Sequence, residues 1–282
     1  ERSRRCADAA PSVRPLIVEH PITCWSRDRW LALSNGRRTT LLTPAAENGQ
    51  GSWPRRAGDA RVGRDLAAAL PEVAHVRSDL YFDGGDCVAD RHTAFITPDV
   101  TERNVGLSVR DVDELHHRLQ AALKRPVVLL DRAPPYHAGM YMMPAGAGRV
   151  VVGDPSLAEG VLDEATLAAL LPCGVETSVE MQQRFDAVAD ACRDAGYAVT
   201  RMPTIVGTDG RTFLTWVNVI IDQRDDRRTV YLPVFDGAAP LNAAATAIWE
   251  SLDCEVRPIN CTGSYRHFGS LRCLVSVLKR HD

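Results

Sequence analysis

Six polar residues, spread over nearly 250 positions, could act together on one flat, positively charged group. Cys273 lies in the segment 263–278, behind Gly269 and Ser270 and near Arg266, His267 and Arg272. A flexible approach and positive surroundings favour a thiolate nucleophile. His137 follows two prolines in a polar loop, and Asp28, Asp83 and Asp86 stand in the segments Trp25-Ser26-Arg27-Asp28 and Asp83-Gly84-Gly85-Asp86. Asn218 is the one amide inside the apolar run 213–221, where a buried polar group needs partners. Cleavage at a guanidinium carbon needs such a set. One carboxylate, Asp28, would hold the planar cation through paired hydrogen bonds, and the Cys273 thiolate would attack carbon. His137 would pass a proton to the departing nitrogen and then take one from water, while Asp83 would orient the imidazole and keep it charged.

Each residue also has a plain structural reading. Cys273 fits as a buried small hydrophobe, Asp28 as a surface partner of Arg27 or Arg29, Asp83–Asp86 as an ordinary turn, and His137 as a loop histidine. Arg61, Arg64, Arg91, Arg103 and Arg211 read as solvated surface, and His116 and His117 have no evident partner on their helix face.

The elements that must position these groups repeat. Hydrophobic spacing predicts helices over 63–70, 111–124, 179–195 and 241–252, each followed by a short β-rich stretch, at 73–76, 127–130, 198–202 and 254–259. A fifth stretch of that kind is expected at 13–18, and a last strand is expected to start at Cys273. Further strands are predicted at 39–43, 93–97, 149–152, 213–221 and 229–234. Strand, strand, helix, strand thus recurs every 55–70 residues, a period suited to a closed ring of units. Loops after equivalent strands would open at one end of such a ring, which is where the six residues lie. The expected organisation is a tail over 1–12 and one domain over 13–282.

Composition narrows the partners. With 33 Lys+Arg against 36 Asp+Glu, a net charge of −3 supplies no basic field for nucleic acid or an anionic membrane surface. The eight cysteines form no Cys-x-x-Cys pair and have no zinc-type spacing with histidine, so neither a metal nor a disulfide framework is expected, and a reducing, cytoplasmic compartment is.

The order Arg27-Asp28, then Phe82-Asp83-Gly84-Gly85-Asp86, then His137-x-Gly139-Met140, then a glycine-bearing turn before Cys273 resembles the guanidine-modifying enzymes of the pentein fold. The nearest resemblance is to the agmatine deiminase and bacterial-type peptidylarginine deiminase branch, which Thr215-Trp216-Val217-Asn218 and the stretch from Val230 to the helix at 241–252 also resemble. The resemblance implies an α/β propeller of five pseudo-symmetric ββαβ-like units around a central active site. It implies a cofactor-free hydrolase of a guanidino group, small or peptide-linked, working through a covalent thiouronium intermediate. Cys273, His137, Asp83 and Asn218 would be catalytic, and Trp25, Arg27, Asp28, Asp86 and Gly139 would line the substrate. The chain departs from the pattern at Gly139, where deiminases carry a second guanidinium-binding Asp. That points to an N-substituted guanidine or to a carboxylate recruited from elsewhere, such as Asp86. The cysteine turn also lacks the family's glycine run and histidine, and the N-terminal half-repeat is short or absent. An amidinotransferase and a non-catalytic guanidine-binding protein remain alternatives on the same scaffold.

Overall fold

A computed structural model describes residues 15–45, 58–224 and 227–278. The predicted tail at 1–12 lies outside the described residues. The chain is mixed α/β, and among the described residues the strands form four separate small sheets. The first unit comprises β1 (Leu31–Ser34), β2 (Thr39–Thr43), α1 (Asp59–Ala69) and β3 (Val73–Arg77). The second comprises β4 (Cys87–Ala89), β5 (Ala94–Ile96), the helices α2 (Pro98–Asn104) and α3 (Val112–Leu123), and β6 (Val127–Leu129). The third runs through β7 (Met142–Gly146), β8 (Arg149–Asp154), α4 (Glu164–Leu170), α5 (Val179–Asp194), β9 (Ala198–Val206) and β10 (Phe213–Thr215). The fourth comprises β11 (Ile220–Arg224), β12 (Arg227–Val234), α6 (Ala239–Ser251) and β13 (Glu255–Asn260).

Every unit has the same wiring: an antiparallel hairpin, a helical crossover, then a strand parallel to the second hairpin strand. The parallel pairs are β2 with β3, β5 with β6, β8 with β9 and β12 with β13. A parallel return needs a crossover, so the helices follow from the topology. It also makes the second and third strands of each unit leave the sheet at the same end.

α3 shows how local sequence sets an element. Leu115, Leu119 and Leu123 are buried on one face, the Asp111 carboxylate accepts a hydrogen bond from Glu114 N, and Lys124 ends the helix in the left-handed region at φ 55. The predicted start of α1 is corrected. It begins four residues earlier, at Asp59, whose buried carboxylate pairs with Arg29 at 3.3 Å and accepts from the backbone N–H and hydroxyl of Thr23. A buried acid breaks the apolar period, so periodicity misses that turn.

Three further expectations are overturned. Among the described residues, 15–18 form no strand. Cys273 begins no strand either: Arg272–Leu274 is a 3-10 turn and 275–278 carry no sheet pairing. That run is apolar and extended at Val275, but a strand exists only where a neighbour supplies backbone partners. The predicted single strand 213–221 is two strands, β10 closing the third sheet and β11 opening the fourth. The four residues between them, Trp216 to Val219, are all buried. No described helix is long and apolar enough to cross a membrane.

Candidate active site

All six residues singled out for chemistry fall outside the sheets, in the segments before, between and after the units. Asp28 precedes β1, Asp83 and Asp86 join β3 to β4, His137 joins β6 to β7, Asn218 joins β10 to β11, and Cys273 follows β13. The common exit end of the parallel strands collects these segments. The 3-10 turn Ser26–Arg29 packs against both Gly84–Asp86 and Arg272–Leu274, and Gly84–Asp86 packs against Ala138–Met140.

The acidic turn is built from its own sequence. Leu80 and Phe82 are buried and anchor it. Asp83 and Asp86 then cap each other: the Asp83 carboxylate takes the N–H of Asp86, and the Asp86 Oδ2 takes the N–H of Asp83 at 2.7 Å. The glycines between them are contact requirements. A Cβ on Gly85 would lie 2.5 Å from His137 Nδ1 and 2.9 Å from Asp28 Oδ1, and one on Gly84 would enter the carbonyl of Arg27.

His137 is ringed by carboxylates. Its Nδ1 is 3.6 Å from Asp28 Oδ1, and its Nε2 is 3.6 Å from Asp83 Oδ2 and 3.7 Å from Asp86 Oδ1. Burial works to lower its pKa, but Asp28, Asp83 and Asp86 together raise it to about 9, so the imidazole is a cation at neutral pH. Asp86 is 1% exposed, and burial pushes its carboxyl well above the usual carboxylate range against the pull of His137. Arg103 reaches Oδ2 of both Asp83 and Asp86 at 3.4 Å. Its assignment to solvated surface is therefore corrected: it is the outer cation of an acid cluster whose inner cation is His137.

Cys273 sits in drier surroundings. Its Sγ is 3.8 Å from Asn218 Oδ1 and 3.8 Å from Met140 Sδ. Burial pushes the thiol up to about 12, the Asp28 charge adds to that, and the Ser270 backbone, Asn218 and Arg27 act against it. The expectation of a thiolate in positive surroundings is thus reversed. Arg266 turns away to the Tyr265 ring and the Ala169 carbonyl. Gly269 serves a different end from flexibility, because the ring of Trp25 occupies the place of its missing Cβ. Trp25 therefore locks the Asp28 turn to the cysteine segment.

Asn218, 1% exposed, is fully engaged. Its Nδ2 donates to the Gly139 carbonyl at 2.6 Å and its Oδ1 accepts from Arg272 N at 2.9 Å. One amide thus ties the His137 turn to the Cys273 turn. At Gly139 a Cβ would meet nothing closer than Asn218 Nδ2 at 3.6 Å, so glycine there is not forced by crowding. Arg27 points elsewhere: its guanidinium donates to the Cys87 carbonyl.

Sequence reasoning missed Tyr136. Its ring stacks on His137 with centroids 4.4 Å apart and an interplanar angle of 11°, and its hydroxyl donates to the Phe268 carbonyl at 2.8 Å. Its φ of 80 is unusual for a residue with a side chain. With Gly85 against one part of the imidazole and Tyr136 stacked over its face, His137 has little freedom to turn. An aromatic directly before the loop histidine, after two prolines, was the available signal. Among the described residues no cluster of His, Cys, Asp or Glu has a metal-binding arrangement.

No protein-family model matches the chain, and no curated protein matches its sequence. Its fold does have relatives among solved structures. A protein assigned as an arginine deiminase from Porphyromonas gingivalis superposes with a TM-score of 0.68 at 20% identity, over 91% of this chain and 76% of that one. The agmatine deiminase of C. jejuni gives 0.60 at 13% identity, over 89% and 70%. That of Enterococcus faecalis gives 0.56 at 15%, over 89% and 73%. The chain thus shares the fold of these solved deiminase structures.

Proposed function

We propose, on the premise of this fold, that residues 13–282 form a catalytic domain that hydrolyses a guanidino group with Cys273 as nucleophile. The observation that carries the proposal is the position of Asp28. Its carboxylate is 3.6 Å from the His137 ring, and its charge raises both the imidazole and the Cys273 thiol. A guanidinium paired with Asp28 would therefore lie between the acid and the nucleophile. The neighbours support this reading: a cysteine-to-serine variant of the C. jejuni agmatine deiminase holds its substrate.

The electrostatics favour a thiol activated by its own substrate. At neutral pH the thiol is protonated, because burial and Asp28 oppose a second negative charge. A bound guanidinium neutralises Asp28 and brings a positive charge to the sulfur, and both changes lower the thiol pKa. The thiol then releases its proton to solvent water, and the thiolate adds to the guanidinium carbon. Protonated His137 gives its proton to the departing ammonia or amine. The neutral imidazole next takes a proton from water, whose oxygen displaces sulfur and leaves a ureido product and a free thiol. Asp83 and Asp86 hold the imidazole in its charged form before the first step. Asn218 keeps the two turns in register, and Trp25 holds the Asp28 turn against the cysteine segment.

Three finer points belong to the same proposal. The four units are blades of a five-unit ring, with the segment 274–278 in the fifth position, where Thr39 Oγ1 already donates to the Leu278 carbonyl. Gly139 leaves the guanidinium one carboxylate short, which suits a guanidine carrying an N-substituent. The seven described cysteines are free thiols, and a reducing compartment such as the cytoplasm would keep Cys273 in that form.

The test is ureido product formation from arginine, agmatine, N-methylated arginine and an arginine peptide by wild type and Cys273→Ser. Product is expected from at least one substrate and a loss of about 10³-fold or more in the variant. No product from any of them, together with no labelling of Cys273 by a chloroacetamidine probe, removes the hydrolase reading. Product that appears only when an amine acceptor is added replaces it with amidino transfer.

A further inference from the structure

Behind the acid cluster lies a cavity of about 210 Å³, bordered by β1, β4, the start of β5, the end of α3 and the segment around Leu278. Three arginines line it, Arg27, Arg125 and Arg272, and no Asp or Glu does. Arg27 donates to the Cys87 carbonyl, and Arg125 donates to the carbonyls of Asp90 and Leu123. These bonds to carbonyls fix the two guanidinium groups but supply no opposite full charge, and among the described residues neither forms an ion pair. The charges converge on the Cys87 thiol in the cavity wall: burial raises it, and Arg27, Arg125 and Arg272 lower it against the neighbouring Asp86 carboxylate.

The like charges of Arg27 and Arg125 beside a half-enclosed space repel one another and carry a desolvation cost. An oxyanion would relieve both, because each guanidinium offers five donors in a planar fork suited to phosphate or carboxylate. The volume equals roughly seven waters at about 30 Å³ each, enough for a tetrahedral anion with part of its hydration. The cavity lies directly behind the proposed active site, for Arg27, Cys87 and Arg272 are the chain neighbours of Asp28, Asp86 and Cys273. We propose that this cavity is a binding site for a small oxyanion, of phosphate or carboxylate type, held by Arg27, Arg125 and Arg272. Its existence does not depend on the chain's being a hydrolase.

The test is calorimetric titration of the full chain with inorganic phosphate and with malonate, at constant ionic strength in chloride. Wild type is expected to bind at least one of them, and the stronger of the two identifies the anion class. Arg125→Gln removes a charged donor and should weaken binding by about tenfold or more. Ser34→Glu, at an exposed position on the rim, places a tethered carboxylate in the cavity and should also suppress binding. The two variants perturb the structure in different ways, and melting curves without added anion establish that each is folded. Binding to wild type that both folded variants lose supports the site. The proposal is overturned by no binding to wild type, or by binding that is equal in wild type and either folded variant.

Discussion

The two halves of the candidate active site differ in how they treat charge. On one side the His137 imidazole faces three carboxylates, with Arg103 behind two of them, and its pKa is raised to about 9. On the other, the Cys273 thiol rests among Met140, Asn218 and its own turn, and burial pushes it up to about 12. One half holds its charge through its own carboxylates, while the other is neutral and, under the proposed function, would stay so until a guanidinium bound. Asp28 belongs to both, which makes it the residue through which a guanidinium would change the balance.

The largest effect should come from breaking that shared member. Asp28→Asn keeps the shape but removes the charge, and an activity loss of about 10²–10³-fold is expected. The thiol should also become easier to ionise, measurable as faster iodoacetamide alkylation at a fixed alkaline pH. An unchanged alkylation rate would separate Asp28 from the sulfur.

Displacing the imidazole comes next. Gly85→Ala places a Cβ 2.5 Å from His137 Nδ1, so the ring must move, and a shift of that order costs about 10²-fold in rate. Because Asp28 Oδ1 is crowded as well, a crystal structure of the variant should show both groups displaced. Wild-type turnover in this variant would contradict the geometry described for the ring.

Asp86→Asn tests the charge store alone. With one of three carboxylates gone, the His137 pKa should fall below about 9, read by NMR titration of the ring. The sign for stability follows from the raised value. The folded protein holds this proton more tightly than the unfolded chain, so the contribution is complete below the ordinary value of 6.5 and is lost as pH rises through about 9. The variant should lose it at lower pH, and identical titration curves for the two proteins would exclude Asp86 from the cluster's field.

The smallest effect is expected for Tyr136→Phe. It keeps the ring stacked on His137 but removes the hydroxyl that donates to Phe268 O. A loss of about 0.5–1 kcal/mol is expected for one solvent-facing hydrogen bond, measurable by denaturant melts, with a larger change in the protection of the cysteine segment from amide exchange.

Local patterns in the chain determined much of this protein. The 3.6-residue spacing of Leu115, Leu119 and Leu123 placed α3, the repeat of strand, strand, helix and strand marked the four units, and the polar residues outside them marked segments that meet in space. Such features are legible because helix and strand periodicities, and the turn preferences of Asp and Gly, act over a few residues. Tertiary structure alone decided the rest. It divided the run at 213–221 between two sheets, left the residues after Cys273 without a strand partner, turned Arg27 toward Cys87, brought Arg103 to the acids and laid Tyr136 over His137. Each of those outcomes depends on which distant backbone or charge lies opposite a residue, and no spacing along the chain encodes that.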